Sequence, residues 1–595
     1  MRVLMIIILS LIAPILSHSF NDKVNSPIFS KTISSNSFSE IEAKLFKNIT
    51  NDPTTIKFEF VFFDLENITK KNSSINIFDK SYILYDKRIE VRDKNNFSVF
   101  YKIKGVEGHF ILTVLNEDII SNILIENQYY EIKTIGNNKQ ILRMYDQSKY
   151  PQACVFDQSK LKVNNSENES KTEDNSIHIK LKNTKKSNQI SGNIECNLRL
   201  LIAYTPAFKT SIGNADNFCQ LAVDLLNQTF INSSVNHRAE LALSHEINYI
   251  EKDNISKDLD SFSTINDGVM DEVASWRNQV NADICILITT STSGGALCGQ
   301  ARAIYGNRDS VFCVINYNCA ISNISFPHEI GHLLGARHNN DSKTTPFANG
   351  HGFESSINKW RTIMAVASLS TRLPFWSNPN IQRNGVAMGT TAINNNATVL
   401  NTTIVDAKVF RQPNSSLTIS SSPSIENNNI VDYNAIDNIS SAQSYPSGVN
   451  VSYRAGVSIT LSAGFRSGSV FSAQIVPIAN CTGNPYAGGV SNGGDDITQN
   501  DNKSIIPINN SEFSVYPNPT NGIFNIEYNL IEAMRISLSI VDINGKEVIS
   551  IFKDKNETNQ HYKLQIEINQ FADGVYFIKH SRNKEVSYSK LILSK

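Results

Sequence analysis

The sequence predicts a multidomain chain with a β-rich N-terminal region, an α/β layer domain in the middle and all-β modules toward the C-terminus. Three observations carry this expectation. The chain has 595 residues, well past the roughly 250–300 at which a single hydrophobic core stops growing. Both flanks alternate apolar and polar residues with a period of two, the pattern of half-buried strands. Residues 196 to 412 differ, with strand-length apolar runs separated by stretches of helical spacing.

The segments follow in order. Residues 1–19, "MRVLMIIILSLIAPILSHS", combine a basic start at Arg2, an apolar run broken by Pro14 and small residues at Ser17 and Ser19. This is the pattern of a secretory signal, too short and interrupted for a membrane span. Residues 20–157 read as strands in "TIKFEFVFF", "NFSVFYKIK" and "HFILTVL". Residues 158–195 are rich in Ser, Asn, Lys and Glu, too polar to bury a core, and read as a cleavable linker. In 196–412, "LRLLIAYTP" and "ADICILITT" are buried-strand runs, and "NFCQLAVDLLNQTF" and "GVMDEVASWRNQV" have helical spacing. A small β domain is expected at 413–482, with no repeat of solenoid length, then a flexible linker at 483–510. Residues 511–595 alternate again, with turn dipeptides Asn521-Gly522 and Asn544-Gly545, and predict a β-sandwich.

Net charge is −1 with acids and bases interspersed, and no basic stripe is present to follow phosphates, so nucleic acid is not an expected partner. No later apolar run is long enough to span a bilayer. Eight cysteines in an exported chain suggest disulfides. Six of them, Cys196, Cys219, Cys285, Cys298, Cys313 and Cys319, fall in one stretch, whose pairing the sequence leaves open, while Cys154 and Cys481 lie outside it.

The chemistry concentrates in "HEIGHLLGARH", residues 328–338. His328 and His332 are four apart and share a helical face, so both can offer a ring nitrogen to one ion. Gly335 lets the chain leave helical geometry at a position open to positive φ, and His338 can return as the third ligand. Three neutral imidazoles leave one position of a Zn2+ ion open to water, whose pKa falls from about 15.7 to about 7. Glu329 is then placed to take a proton as that water attacks a carbonyl. "SHEINYI" repeats the tripeptide at His245, Glu246 and Ile247 but has Tyr249 where a second histidine is needed, so this copy is expected not to chelate.

The pattern HExxHxxGxxH resembles the metzincin metalloprotease signature, which also requires a downstream methionine turn. "RTIMAV" supplies Met364, which the resemblance makes an apolar floor under the imidazoles. "LLIAYTPAF", "DGVMDEVASWRNQVNADICILIT", "GGALCGQA" and "FWSNPN" are similar to the reprolysin-like, peptidyl-Asp metalloendopeptidase-type branch, over about 200 residues from Leu198 to the region of Val409. Two positions depart from related branches: Asn339 stands where adamalysin-like members have Asp, and Val366 where astacin-like and serralysin-like members carry a metal-facing tyrosine. "STSGGALCGQA" falls where the resemblance puts the edge strand that pairs with an extended substrate. A glycine-rich turn closed by a disulfide at Cys298 is the other reading. The sequence does not say whether Arg361 or Arg372 faces the cleft, and it assigns no structural Ca2+.

Residues 20–157 then occupy a propeptide's place. Cys154 is either the latency ligand of the metal, in the manner of a cysteine switch, or the disulfide partner of Cys196. "SVYPNPTNGIFNIEY", "VDINGKEV", "GVYFIKH" and the terminal "KLILSK" resemble the type IX secretion sorting domain. That implies passage through the periplasm of a Gram-negative bacterium, engagement of its secretion machinery, and release or attachment at the surface. The expected function is a secreted zinc endopeptidase acting on extracellular proteins. A surface adhesin with a non-catalytic metzincin fold is the alternative, and a zinc hydrolase of non-peptide amides a third reading.

Overall fold

The computed structural model describes, apart from short breaks, residues 26–151, 196–419, 430–481 and 514–594. The expected signal segment, both expected linkers and Cys154 lie outside the described residues. The chain divides into two compact units near residue 492.

In the first unit, the N-terminal region is a ten-stranded sheet. From Ser73 to Tyr145 it is an antiparallel meander, and Thr55–Phe63 pairs with Lys139–Tyr145. Its central strands are buried on both faces: Gly108–Leu115 shows no exposed residue. One face, with Phe110, Leu112 and Ile123, holds a core of its own. The other, with Phe100, Ile111, Leu115, Ile120 and Leu124, belongs to the same apolar cluster as the middle of the chain. Two-sided burial explains why these runs are more continuously apolar than a one-faced sheet requires.

The middle builds on β1 (Leu198–Tyr204), α1 (Ala215–Asn232), β2 (Ala239–Glu246), β3 (Ile284–Thr289), β4 (Gly299–Ala301), β5 (Phe312–Asn316) and α2 (Ser325–Leu333). Two short strands, β6 (Trp360–Arg361) and β7 (Thr371–Arg372), follow α2 and pair in parallel. β1 runs parallel to β2 and β3, β3 parallel to β5, and β4 closes one edge antiparallel to β5. β1 feeds two cores: Leu198, Leu200 and Ile202 pack on the α1 side, Leu201 and Ala203 on the other. α1 is capped by Asn214, whose side chain accepts from the Asn217 amide, and it separates the central sheet from the N-terminal one.

The segment expected as a separate β domain differs from the expectation. Its strands β8 (Ile430–Ala435), β9 (Asn450–Ala455) and β10 (Val470–Ile475) extend the central sheet through Leu243–Val431 and Ser244–Ile430 pairing. They are parallel and in register, Ile430 opposite Asn450 and Asn450 opposite Val470, a step of 20 residues. A second parallel file, Ser416–Ile419, Asn438–Ser441 and Ser458–Leu461, accompanies them. This is a short solenoid, so the expectation of no solenoid repeat is corrected. Each coil strand carries the same period-two alternation as any half-buried strand, and so few degenerate copies leave no strong self-similarity.

The cysteines are also corrected. Cys298 pairs with Cys319 inside the middle stretch, but Cys196 pairs with Cys481, 285 residues away beyond the solenoid. That pairing removes Cys196 as a partner for Cys154. Cys219, Cys285 and Cys313 are buried free thiols, with burial pushing each pKa up. They behave as small core residues.

The second unit holds two antiparallel sheets, of three and four strands, around Phe524, Ile526, Leu538, Ile540, Ile578 and Leu591.

Candidate metal centre

α2 carries His328, Glu329 and His332, all buried. The helix ends in a Schellman turn: the Ala336 amide donates to Gly331 O at 2.8 Å and the Gly335 amide to His332 O at 2.9 Å. Gly335 takes φ +98, the left-handed value the motif needs and the one expected of this glycine. The turn reverses the chain so that His338 faces the helix. Its Nε2 lies 3.1 Å from Nε2 of both His328 and His332. Among the described residues this is the one group of three such side chains gathered closely enough to hold an ion.

The second ring nitrogens fix the tautomers. His328 Nδ1 lies 2.8 Å from Ile363 O and His332 Nδ1 3.0 Å from Ala336 O. Carbonyls only accept, so each Nδ1 carries the proton and each Nε2 presents a lone pair to the common point. Burial, helped by the charge of Arg372, holds the His328 pKa well below its ordinary value, and burial with the adjacent His338 does the same for His332. Burial, then Arg372, pushes His338 down to about 4. With its Nε2 on the same point, His338 completes a set of three ring nitrogens that a cation between them would draw together. Zinc–nitrogen bonds of roughly 2.0–2.1 Å in tetrahedral array separate ligand atoms by about 3.4 Å, so the group fits such an ion.

Met364 is fully buried under the helix. A Cβ on Gly331, between the two helical histidines, would lie 2.8 Å from Met364 Sδ and 2.6 Å from the Trp376 ring. The methionine is thus pressed against the ligand turn, and Gly331 is what lets it approach. Asn339 Oδ1 accepts from the Val366 amide at 2.9 Å, so the amide oxygen ties the residue after the third histidine to the loop beyond Met364. His245 lies on β2, edge-on to Trp276 at 4.2 Å, and is outside the cluster.

Glu329 lies beneath β4, its Cγ and Oε1 facing Gly299. "STSGGALCGQA" holds a turn on Thr292 with Gly294 and Gly295 at positive φ, the Cys298–Cys319 disulfide, and then an edge strand. Arg361, on β6, is tied into its own loop, donating to Ala367 O and Ser370 O. Arg372, on β7 and buried, donates from Nη1 to Asn323 O at 2.9 Å and from Nη2 to Ala365 O at 3.4 Å, and its charge reaches all three histidines.

The N-terminal region reaches this place. Gln147 Oε1 accepts from the Arg372 amide at 2.6 Å, the Tyr129 hydroxyl donates to Arg372 O at 2.9 Å, and Asn323 Nδ2 donates to Pro151 O at 3.4 Å. Elsewhere Asp224 of α1, fully buried, accepts from Arg92 at 2.5 Å, Thr113 at 2.8 Å and Ser98. Sequence reasoning missed Gln147, Gly299, Gly331 and Trp376. The glycine between the histidines was the one local signal of a close approach.

Comparison with known proteins gives the family of this domain. Residues 195–377 match the model of metallo-peptidase family M12, and residues 514–594 that of the secretion system C-terminal sorting domain. A peptidyl-Asp metalloendopeptidase of Xanthomonas campestris is 33% identical over 306 residues, 51% of this chain and 69% of that protein. One from Stenotrophomonas maltophilia is 33% identical over 314 residues, 51% and 71% of the two chains. The solved metalloproteinase-II of Bacteroides fragilis aligns with 56% of this chain and 90% of its own at 11% identity and a TM-score of 0.28, too low to support a fold assignment.

A three-histidine centre, with His328 and His332 buried and His338 half-buried, beside an adjoining glutamate in a domain of this descent, defines a metalloendopeptidase of the zinc-dependent class. The chain belongs to the M12 metallopeptidase family, with peptidyl-Asp metalloendopeptidases among its relatives. Its sorting domain marks it for type IX export, to secretion or the cell surface. No helix among the described residues is long and apolar enough to cross a membrane.

Proposed function

We propose that this chain is an exported endopeptidase that hydrolyses extracellular proteins, with Zn2+ held by His328, His332 and His338 and Glu329 as general base. The single observation that supports it best is the convergence of three Nε2 atoms, His338 lying 3.1 Å from each of the other two, next to a buried glutamate under an edge strand. Bound there, zinc supplies Lewis acidity toward the substrate carbonyl and lowers the pKa of a water. The chain's own residues do the rest. β4 offers an edge for an extended peptide. Glu329 accepts a proton from the attacking water and hands it to the leaving amine. The Nδ1–carbonyl bonds of His328 and His332 keep those rings aimed, and the buried, apolar surroundings of Met364 and Trp376 exclude competing water. Residues 20–157 act as a propeptide, cut within 158–195 after transit through the periplasm.

The relatives are named for cleavage at aspartate. We assign the recognition of an acidic side chain to Arg372, whose buried guanidinium stands within electrostatic reach of the metal ligands. Both arginines donate to backbone carbonyls, but the charge that acts on the three histidines is that of Arg372, not of Arg361. Replacing Asp by Asn in a cleaved peptide should cost the wild type about 10²-fold in kcat/KM or more. In Arg372→Gln that discrimination should collapse; discrimination that survives intact would move the specificity elsewhere.

The main test uses processed protein from the full-length chain. Glu329→Gln should keep stoichiometric zinc while peptide hydrolysis falls by roughly 10²-fold or more, the range for loss of a general base. His338→Ala should lose the zinc and His245→Ala should not. Undiminished proteolysis by Glu329→Gln, free of contaminating protease, would refute the base assignment.

A further inference from the structure

Gly299 opens β4, pairing with Ile315 across the ladder, while Gln300 pairs with Val314 and Ala301 with Cys313. Glycine is not needed there for its backbone, because Gly299 is absent from the residues at positive φ. Space is what excludes a side chain. A Cβ at 299 would lie 2.9 Å from both Cγ and Oε1 of Glu329 and 3.0 Å from Val314 O. Ordinary carbon contacts begin near 3.5 Å, so something would shift by about half an ångström.

The strand is the less yielding partner. Its inner side is held by the ladder to β5, and the residue before it is bonded through Cys298 to Cys319, on the short helix Tyr317–Ala320 that precedes α2. Of the atoms met, Cγ and Oε1 belong to the Glu329 side chain, which can turn about its own torsions, whereas Val314 O is backbone held in the ladder; the side chain, and its carboxylate with it, is what would move.

We propose that Gly299 is a positioning residue for the hydrolysis: the missing side chain sets the gap in which the Glu329 carboxylate stands, and so its distance from a substrate carbonyl lying along β4. This rests on Glu329 as the base. A displacement of about 1 Å at a reacting group costs on the order of 10²-fold in rate, so a shift half as large should lower turnover by about tenfold or more.

The test is a cycle on processed protein from the full-length chain, reading kcat, KM, zinc content and thermal unfolding. Gly299→Ala should reduce kcat at least tenfold, with KM within about threefold of wild type and zinc still stoichiometric. In the Glu329→Gln background the same substitution should change the residual rate by less than twofold, because the group it displaces no longer contributes. Glu329→Asp, with a shorter reach, should cost less when combined with Gly299→Ala than when made in the wild type.

A tenfold loss that persists in the Glu329→Gln background, or that falls on KM, would overturn the proposal and make β4 pairing with substrate the affected step. Wild-type kcat in Gly299→Ala would overturn it directly. If Gly299→Ala does not fold, Gly299→Ala/Glu329→Ala decides: recovery of a folded, zinc-binding protein supports a clash with Glu329, and continued failure assigns it to the Val314 carbonyl and ends the proposal. Full activity of Glu329→Gln alone would instead defeat the base assignment, a separate outcome.

Discussion

At the scale of single residues, Gly335 does two jobs in one position. Its φ of +98 completes the Schellman turn and aims His338 back at α2, and an added Cβ would also lie 2.8 Å from the Phe347 ring. Non-glycine residues in strained regions of φ cost about 1–3 kcal/mol. Gly335→Ala should therefore lower stability by about 2 kcal/mol in denaturant unfolding and weaken zinc binding together, whereas a purely structural position would lose only the first. The ligands and this glycine were legible in the sequence because they sit within eleven consecutive residues whose spacing maps directly onto one turn of helix and one reversal. Trp376 and Gly299 were not, because their contacts join segments tens of residues apart, for which a single sequence carries no spacing signal, and Gly331 signalled only a close approach without saying to what.

At the scale of elements, Tyr129 and the stretch Gln147–Pro151 connect the N-terminal sheet to Arg372 and Asn323 beside the three histidines. In β7 and just beyond it, the amides of Thr371 and Leu373 face β6, donating to Lys359 O and Arg361 O, so the Arg372 amide and carbonyl face the other way. The carboxamide of Gln147 meets that side with its oxygen on the Arg372 amide at 2.6 Å and its nitrogen 3.3 Å from Arg372 O. A side-chain amide there stands in for a peptide group laid along the strand. Hydrogen bonds of this kind contribute about 1 kcal/mol each. On the propeptide reading, Gln147→Ala should raise the activity of the uncut chain by about 10- to 30-fold while leaving the processed enzyme unchanged. A peptide-hydrolysis assay before and after linker cleavage checks it, and equal latency of the two uncut proteins would remove Gln147 from the mechanism. The strands and helices of this region were readable from periodicity. Which of them touch the site was not, since docking depends on matching surfaces of two separate sheets.

At the scale of the whole first unit, the boundary at Gln412 suggested by composition does not coincide with a boundary of structure. β8 pairs with β2, and Arg199 of β1 bonds Glu240 of β2 and, at 2.8 Å, Asp432 of β8, while Arg454 of β9 meets Glu240 at 2.7 Å. Cys196 and Cys481 join the start of β1's segment to the end of the solenoid. Closing a loop of this length removes about 6 kcal/mol of chain entropy from the unfolded state. A chain ended after Gln412 leaves Arg199 and Glu240 short of partners and exposes the edge of β2. It should yield little soluble protein, whereas one ended after residue 482 should unfold as the full chain does in a thermal melt; equal yields and melting temperatures for the two would contradict this. By itself the sequence determined the gathering of His328, His332 and His338, the alternation of strands and helices around them and the export signal at the C-terminal end. All of these are written in spacings shorter than one element or in local composition. The tertiary structure alone decided the disulfide partners, the joining of the solenoid to the central sheet, the Arg372–Gln147 contact and the gap at Gly299. Each depends on which distant segments share a face once apolar surface has been buried, and no local periodicity encodes that choice.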